Sequence, residues 1–196
     1  MALFRCAPAL VLLTISFAAV ANAQTEKPFP SDDEINLVLT QTERAIQQYK
    51  PLIDQEEVQM GKSVTDAVAI DRKNVKALEI AVKAFKGKPQ GFNGPLGFVF
   101  FEWLDDASRN ALLCASWASA QGALQMMDGN TDKAASLLHL AQSCSDASAL
   151  ISTVSENAGS LYQRYVEAEE QTAAQAVTVM EKCMDILKKN GVPPKK

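Results

Sequence analysis

Apolar side chains recur at intervals of three and four residues along most of this chain. The first such run spans residues 35–60 and consists of Ile35, Leu39, Ile46, Tyr49, Ile53 and Met60, with Thr42 at the same spacing. Side chains at this spacing lie on one face of an α-helix, whereas a half-buried strand would show apolar residues at every second position. We find no such alternation, so the sequence predicts an all-α fold.

Capping and breaking residues divide this helical pattern into segments. Ser31 and Glu34 match a capping box that begins the first helix, and Pro51 is expected to kink or split that helix. A second helix, beginning between residues 63 and 71, should end at Gly87. Residues 87–97 hold four glycines and two prolines, which predicts an irregular linker.

Three further helices are predicted after the linker. They extend from about residue 98 to 127, from 132 to about 158, and from 160 to 190, with Gly159 as the break between the last two. The loops between them are short, and short loops make neighbouring helices antiparallel. The expected architecture is an up-down antiparallel helical bundle of four to five helices. It forms a single domain over residues 31–190, with flexible segments at residues 24–30 and 191–196.

The first 23 residues have the features of a cleaved secretory signal peptide. Arg5 supplies the positive charge, residues 7–21 form the apolar region, and Ala21 and Ala23 form a small-x-small cleavage site. The apolar run is shorter than the roughly 20 residues that span a bilayer. We therefore expect export, to a bacterial periplasm or to the extracellular space.

The charge of the exported chain disfavours two classes of partner. After removal of Arg5, 18 basic and 23 acidic residues remain, a net charge of −5. Nucleic acids and anionic membrane surfaces both require a basic patch. The only locally basic stretch is the C-terminal tail. Its charge is explained by the favourable interaction of cations with the C-terminal end of a helix dipole. We expect no nucleic-acid partner.

Residues 110–127 carry no charged side chain, which raises the alternative of a membrane span. The stretch also contains Asn110, Gln121, Gln125 and two serines, together with many small residues. Small side chains let neighbouring helices approach closely, so we expect this helix to lie at the centre of the bundle, without stable membrane insertion.

The residue types required by common helical-bundle enzymes and carriers are scarce. His139 is the only histidine, so sites built on paired histidines are excluded. Asp128, Asn130 and Asp132 match the start of a calcium loop, but Lys133 stands where that loop needs glycine. We expect no catalytic residues, no metal and no cofactor. A haem held by His139 and one methionine, in a cofactor- or metal-carrying four-helix bundle, stays open as an alternative.

One cluster of residues is a candidate binding site. Within twelve residues the chain places five of the eleven aromatic residues that follow the signal peptide: Phe92, Phe98, Phe100, Phe101 and Trp103. The side chains of consecutive helical residues point about 100° apart, so one neighbouring helix does not easily bury all five. They either belong to the core or form a patch that binds an apolar ligand or partner beside a mobile loop.

Three cysteines follow the signal peptide, and helix geometry selects which two pair. Cys114 and Cys144 lie almost equally far from the turn near residue 129, so they sit at one level on antiparallel neighbours. Cys144 lies 15 residues before Gly159 and Cys183 lies 24 residues after it, so these two cysteines would not be at the same level on neighbouring helices. We predict a Cys114–Cys144 disulfide and a free thiol at Cys183, the alternative being three reduced cysteines packed as small apolar residues.

The expected function is binding rather than catalysis. We expect an exported, non-catalytic helical bundle that binds a protein partner or an apolar small molecule through residues 92–103. In size, export and helical-bundle character the chain resembles the plant invertase and pectin methylesterase inhibitor family, which makes an enzyme-inhibitor role a further alternative. That family has paired cysteines before the bundle, whereas here no cysteine lies between Cys6 and Cys114.

Overall fold

The computed structural model describes residues 28–189, apart from the side chains of residues 183 and 186–189. The predicted signal peptide, residues 24–27 of the predicted N-terminal segment and the predicted tail at residues 191–196 lie outside this range. The described residues are almost entirely helical and contain no strand, which confirms the all-α class.

Four α-helices follow one another in the described part of the chain: α1 (Asp32–Met60), α2 (Thr65–Gly87), α3 (Pro95–Met127) and α4 (Thr131–Lys189). A 3₁₀ turn at Gly61–Val64 joins α1 to α2, and a second at Pro89–Phe92 lies between α2 and α3. The predicted capping box is present at the start of α1. The Ser31 hydroxyl oxygen accepts a hydrogen bond from the backbone N–H of Glu34, whose carboxylate accepts one from the N–H of Ser31.

The chain divides into two compact units. One unit, residues 29–167, contains α1, α2, α3 and the first part of α4. Within the described range, the other unit contains Pro28 and the helical residues 168–189. In this second unit the Thr172 and Thr178 hydroxyls donate to the carbonyls of Ala168 and Ala174, four residues earlier in the helix.

Within the unit of residues 29–167, consecutive helices run in opposite directions. Between α1 and α2 this is visible in two ion pairs, Lys50 with Glu79 and Lys86 with Glu43, since the earlier residue of α1 pairs with the later residue of α2. Exposed ion pairs of this kind contribute little energy. The free energy of this unit therefore comes mainly from a continuous apolar core between the helices.

The helices α3 and α4 approach closely because their contact surfaces carry small side chains. On α3 these buried residues are Ala107, Ser108, Ala111, Cys114, Ala115, Ala118 and Gly122. The two buried serines bond across the contact: Ser108 Oγ donates to the Ser148 carbonyl at 3.1 Å, and Ser148 Oγ donates to the Ser108 carbonyl at 2.9 Å. A Cβ added at Gly122 would lie 3.0 Å from Leu138 of α4. These contacts bury one side of α3 against α4.

Gly159 does not break the helix, and the predicted separate fifth helix over residues 160–190 is wrong. The helix α4 continues through Gly159 to Lys189. A Cβ at this position would lie only 3.0 Å from the ring of Phe101 on α3. Gly159 therefore makes room for an aromatic side chain of the neighbouring helix, a packing role that a glycine inside a helical pattern can have.

Two further expectations need correction. The predicted irregular linker at residues 87–97 is shorter, because Pro89–Phe92 form the 3₁₀ turn and Pro95, whose fixed φ suits the first turn of a helix, begins α3. Pro51 does not split α1, which continues to Met60. Contacts with α2 hold α1 on both sides of this proline, through Lys50 before it and Asp54, bound to Arg72, after it.

The Gly97→Ala substitution should destabilise the protein. A Cβ at Gly97 would overlap the carbonyl oxygen of Phe92, so the 3₁₀ turn would have to shift. We expect the free energy of unfolding in urea to fall by about 1–3 kcal/mol. Gly87→Ala is the matched control, because no atom lies within 4 Å of a Cβ there, and it should leave stability unchanged or raise it by up to about 1 kcal/mol. Equal effects of the two substitutions would contradict this account.

Candidate functional site

Five aromatic rings form an unbroken row in the unit of residues 29–167, and we call them the aromatic row: Phe29, Tyr165, Tyr162, Phe98 and Phe101. Successive ring centroids in this order are 6.0, 6.1, 5.7 and 6.5 Å apart. The planes of neighbouring rings are tilted by 40–51°. These separations lie within the range at which aromatic rings attract each other.

The local sequence explains why these rings line up. Phe98 and Phe101 are three residues apart on α3, and Tyr162 and Tyr165 are three residues apart on α4, so each pair lies on one helix face. The antiparallel contact of the two helices then places Phe98 beside Tyr162. Phe29 extends the row from the segment that precedes α1.

The aromatic row is partly open to solvent. Phe98 is 45% exposed and Phe29 is exposed to a similar degree, while Phe101, Tyr162 and Tyr165 are half-buried. Large aromatic side chains usually bury most of their surface. A contiguous group of partly exposed rings is therefore a candidate binding surface, one that combines apolar ring faces with the hydroxyls of two tyrosines.

The predicted segment at residues 92–103 contributes only part of this surface. Phe92 and Phe100 are fully buried and pack edge to face with Phe85, with ring centroids 5.6–5.8 Å apart, so their assignment to a binding patch is wrong. Trp103 is half-buried and packs against the same core. Phe98 and Phe101 are the two predicted residues that the structure places in the aromatic row.

Sequence reasoning missed the other three members of the row. Phe29 and the two tyrosines are separated from Phe98 by more than 60 residues, so local aromatic density does not reveal them. The i, i+3 spacing of Tyr162 and Tyr165 was a usable signal, because it matches the spacing of Phe98 and Phe101 on the antiparallel neighbour.

An ion pair next to the aromatic row joins α4 to α1. The Arg164 guanidinium donates to both carboxylate oxygens of Glu34, the shorter bond being 2.6 Å. Together with the hydrogen bonds from Ser31, these bonds lower the pKa of Glu34 to about 2. The contact ties α4, next to Tyr165, to the first turn of α1, which follows Phe29.

A second polar feature lies inside the core, between α1, α2 and α3. Asp71 accepts hydrogen bonds from the hydroxyl of Tyr49 at 2.9 Å and from the side-chain amide of Asn110 at 2.5 Å. Glu56 is almost fully buried, and its Oε2 atom has no hydrogen-bond partner among the described residues. An ionised carboxylate in this setting is energetically unfavourable, so its protonated form is favoured.

The pKa values of these groups follow from their burial. Burial, followed by the nearby charge of Asp71, raises the pKa of Glu56 to about 7. Burial also raises the pKa of Asp71, against the effect of the bonds from Tyr49 and Asn110. Both acids occupy the apolar spacing of their helices, Glu56 between Ile53 and Met60, and this spacing is the sequence signal for their burial.

The remaining chemistry-bearing residues are dispersed. Among the described residues, no group of three or more His, Cys, Asp or Glu side chains is placed to hold a metal ion. His139, the histidine considered for haem ligation, is exposed on α4. Across residues 28–189, none of the helices combines the length and apolar character needed to cross a membrane.

Cys114 and Cys144 are joined in a disulfide in the structure. Their Cα atoms lie 6.1 Å apart, at the level of α3 and α4 expected from the helix register. Both cysteines are buried in a small apolar cluster with Ala115, Ala118 and Leu140. The side chain of Cys183, the predicted free thiol, lies outside the described residues.

Comparison of the chain with protein-family models, curated proteins and solved structures finds no match.

The stability of the protein should fall as pH rises from 5 to 8. A carboxyl whose pKa is higher in the folded state than in the unfolded state binds more protons when the protein is folded. Raising the pH therefore favours unfolding until the pH passes the folded-state pKa. For Glu56 that pKa is about 7. The free energy of unfolding of Glu56→Gln minus that of the wild type, measured in urea, should increase by about 2–3 kcal/mol between pH 5 and pH 8. The exposed Glu102→Gln serves as the control. Parallel pH profiles for wild type and Glu56→Gln would contradict the assignment.

Disulfide mapping should find Cys183 unpaired. A non-reduced digest of the exported chain should yield one peptide pair linked through Cys114 and Cys144, with Cys183 alkylated before any reduction. Replacing both bridged cysteines by serine should lower the free energy of unfolding by about 3–4 kcal/mol, as expected for a 30-residue loop. Recovery of Cys183 bridged to either partner would overturn the predicted pairing.

Proposed function

We propose that this chain is an exported, non-catalytic binding protein that recognises a protein partner through the aromatic row. The observation that carries the proposal is the continuous arrangement of five partly exposed rings contributed by three separate segments of the chain. Aromatic side chains are enriched in protein interfaces, where they supply large contact areas at a small cost in conformational entropy.

The shape of the site favours a protein over a small molecule. Small ligands are usually enclosed in cavities of about 300–1,000 Å³. Beside the start of α1 lies a shallow groove of about 220 Å³, lined by Glu34, Leu37, Val38, Gln41, Asn157, Ser160 and Leu161. Such a groove can hold one side chain of a partner, whereas the neighbouring rings offer a surface that a larger molecule would cover.

Charge indicates the kind of protein that would bind. The exposed carboxylates of Asp33 and Glu102 lie near the row in the chain, four residues after Phe29 and one after Phe101. The net charge of −5 after signal removal has the same sign. We therefore expect the partner to present apolar or aromatic side chains with basic residues around them, because complementary charge speeds association and disfavours other partners.

Export is supported by the sequence of residues 1–23 and is consistent with the Cys114–Cys144 disulfide, because disulfides persist in oxidising compartments. Under this proposal the protein acts in a periplasm or in the extracellular space. An enzyme-inhibitor role is one form of the same proposal, since an inhibitor also binds a protein. A cofactor carrier would instead show an absorption band in protein purified from its native host.

Selection of peptides tests the aromatic row directly. A phage library of random 16-residue peptides is selected against residues 24–196, and the affinity of the enriched peptides is measured by calorimetry. We expect aromatic or leucine residues combined with Lys or Arg to be enriched. Phe98→Ala and Tyr162→Ala should each weaken binding by at least about tenfold, as for residues central to an interface.

Ile80→Ala is the matched control, because Ile80 is an exposed apolar residue on α2, away from the row. It should leave the affinity unchanged. Circular dichroism of each variant verifies that the helices are retained. Peptides that bind wild type, Phe98→Ala and Tyr162→Ala equally well would show that the row is not the binding surface.

A further inference from the structure

The outward face of α3 changes character halfway along the helix. In its first half, the side that faces away from the core carries Glu102, Asp106 and Arg109, as is usual for a solvated helix surface. From residue 110 to residue 127 the same side carries no charge. Several large apolar side chains in this second half, among them Leu113, Trp117 and Leu124, are exposed.

These outward apolar residues follow the spacing of a helix-pairing surface. They are Leu113, Trp117, Ala120, Leu124 and Met127, at intervals of four, three, four and three residues. The four large side chains are 50%, 40%, 51% and 84% exposed, respectively. This stripe, which we call the outer α3 stripe, lies opposite the buried residues Ala111, Ala118 and Gly122 of the same helix. Apolar residues at these intervals form the contact line of paired helices.

The order of side-chain sizes along the outer α3 stripe is nearly the same in both directions. Two large residues, one small residue and two large residues follow one another, with Ala120 in the middle. When two copies pair antiparallel about a two-fold axis through Ala120, Leu113 lies opposite Met127 and Trp117 lies next to Leu124 of the partner subunit. A surface that matches itself in this way fits the two-fold symmetry of most homodimers.

We propose that the outer α3 stripe is the interface of a homodimer in which two copies of α3 pair antiparallel about Ala120. Its four large residues expose roughly 400 Å² of apolar side chain per copy. The two copies together therefore approach the roughly 1,000 Å² at which specific interfaces begin. We accordingly expect a weak, reversible dimer. The aromatic row begins about 12 residues earlier on α3, so it stays accessible, and the dimer presents two rows.

Sedimentation equilibrium of residues 24–196 from 0.5 to 200 µM tests the proposal. The wild type should pass from monomer to dimer across this range. Trp117→Glu and Leu124→Glu should each weaken dimerisation by at least tenfold, and since both side chains are already exposed, the fold should survive the substitutions. Ile80→Glu, at an exposed apolar position on α2, should dimerise like the wild type.

Cross-linking at the proposed two-fold axis tests the geometry. In a Cys183→Ser background, Ala120→Cys should form a disulfide-linked dimer on mild oxidation, because the two introduced thiols face each other. Ser119→Cys, whose side chain points about 100° away, should cross-link at least tenfold more slowly. A chain that stays monomeric at 200 µM, a dimer unaffected by Leu124→Glu, or equal cross-linking at 119 and 120 would each overturn the proposal.

Discussion

The contact between α3 and α4 is the constraint on which the rest of the 29–167 unit depends. Small side chains let the two helices approach, and the reciprocal hydrogen bonds of Ser108 and Ser148 fix their register. The Cys114–Cys144 disulfide lies one and a half turns further along in the same register. That register brings Phe98 to Tyr162 at the other end of the contact, so a shift by one turn would break the aromatic row. The candidate binding surface is therefore a consequence of core packing.

Helix positions and the level of the two cysteines follow from the sequence because both depend on local, regular geometry. Apolar intervals of three and four identify the helices, and a rise of about 1.5 Å per residue places Cys114 beside Cys144. Gly159 was misjudged because glycine is a poor helix former in isolation, whereas here Phe101 needs the space that a Cβ would fill. For the candidate site, too, local sequence does not determine which side chains are buried, as Phe100 and Phe101 show. They are adjacent in the chain, yet one enters the core and the other reaches the surface.

The buried acids show where regular spacing alone misleads. Glu56 and Asp71 occupy positions that the three- and four-residue intervals assign to the core, and the core accommodates them differently. Asp71 has two hydrogen-bond donors, so an ionised form is partly compensated. Glu56 Oε2 has none among the described residues, so the proton itself must satisfy the group. A polar group placed in this way lowers stability at high pH, a penalty that an apolar residue at the same position would avoid.

Unequal helix lengths explain why one helix carries surfaces of such different kinds. With 33 residues, α3 is about 50 Å long, whereas α2 has 23 residues and is about 35 Å long. Asn110 of α3 bonds to Asp71, and α2 begins only six residues before Asp71, so α2 covers α3 to about residue 116. Beyond that level α4 packs on the side of Ala118 and Gly122. Beyond the reach of α2, Leu124 and Met127 remain largely exposed in the monomer, and burial against another surface is a physical reason for a chain to keep such a face uncharged.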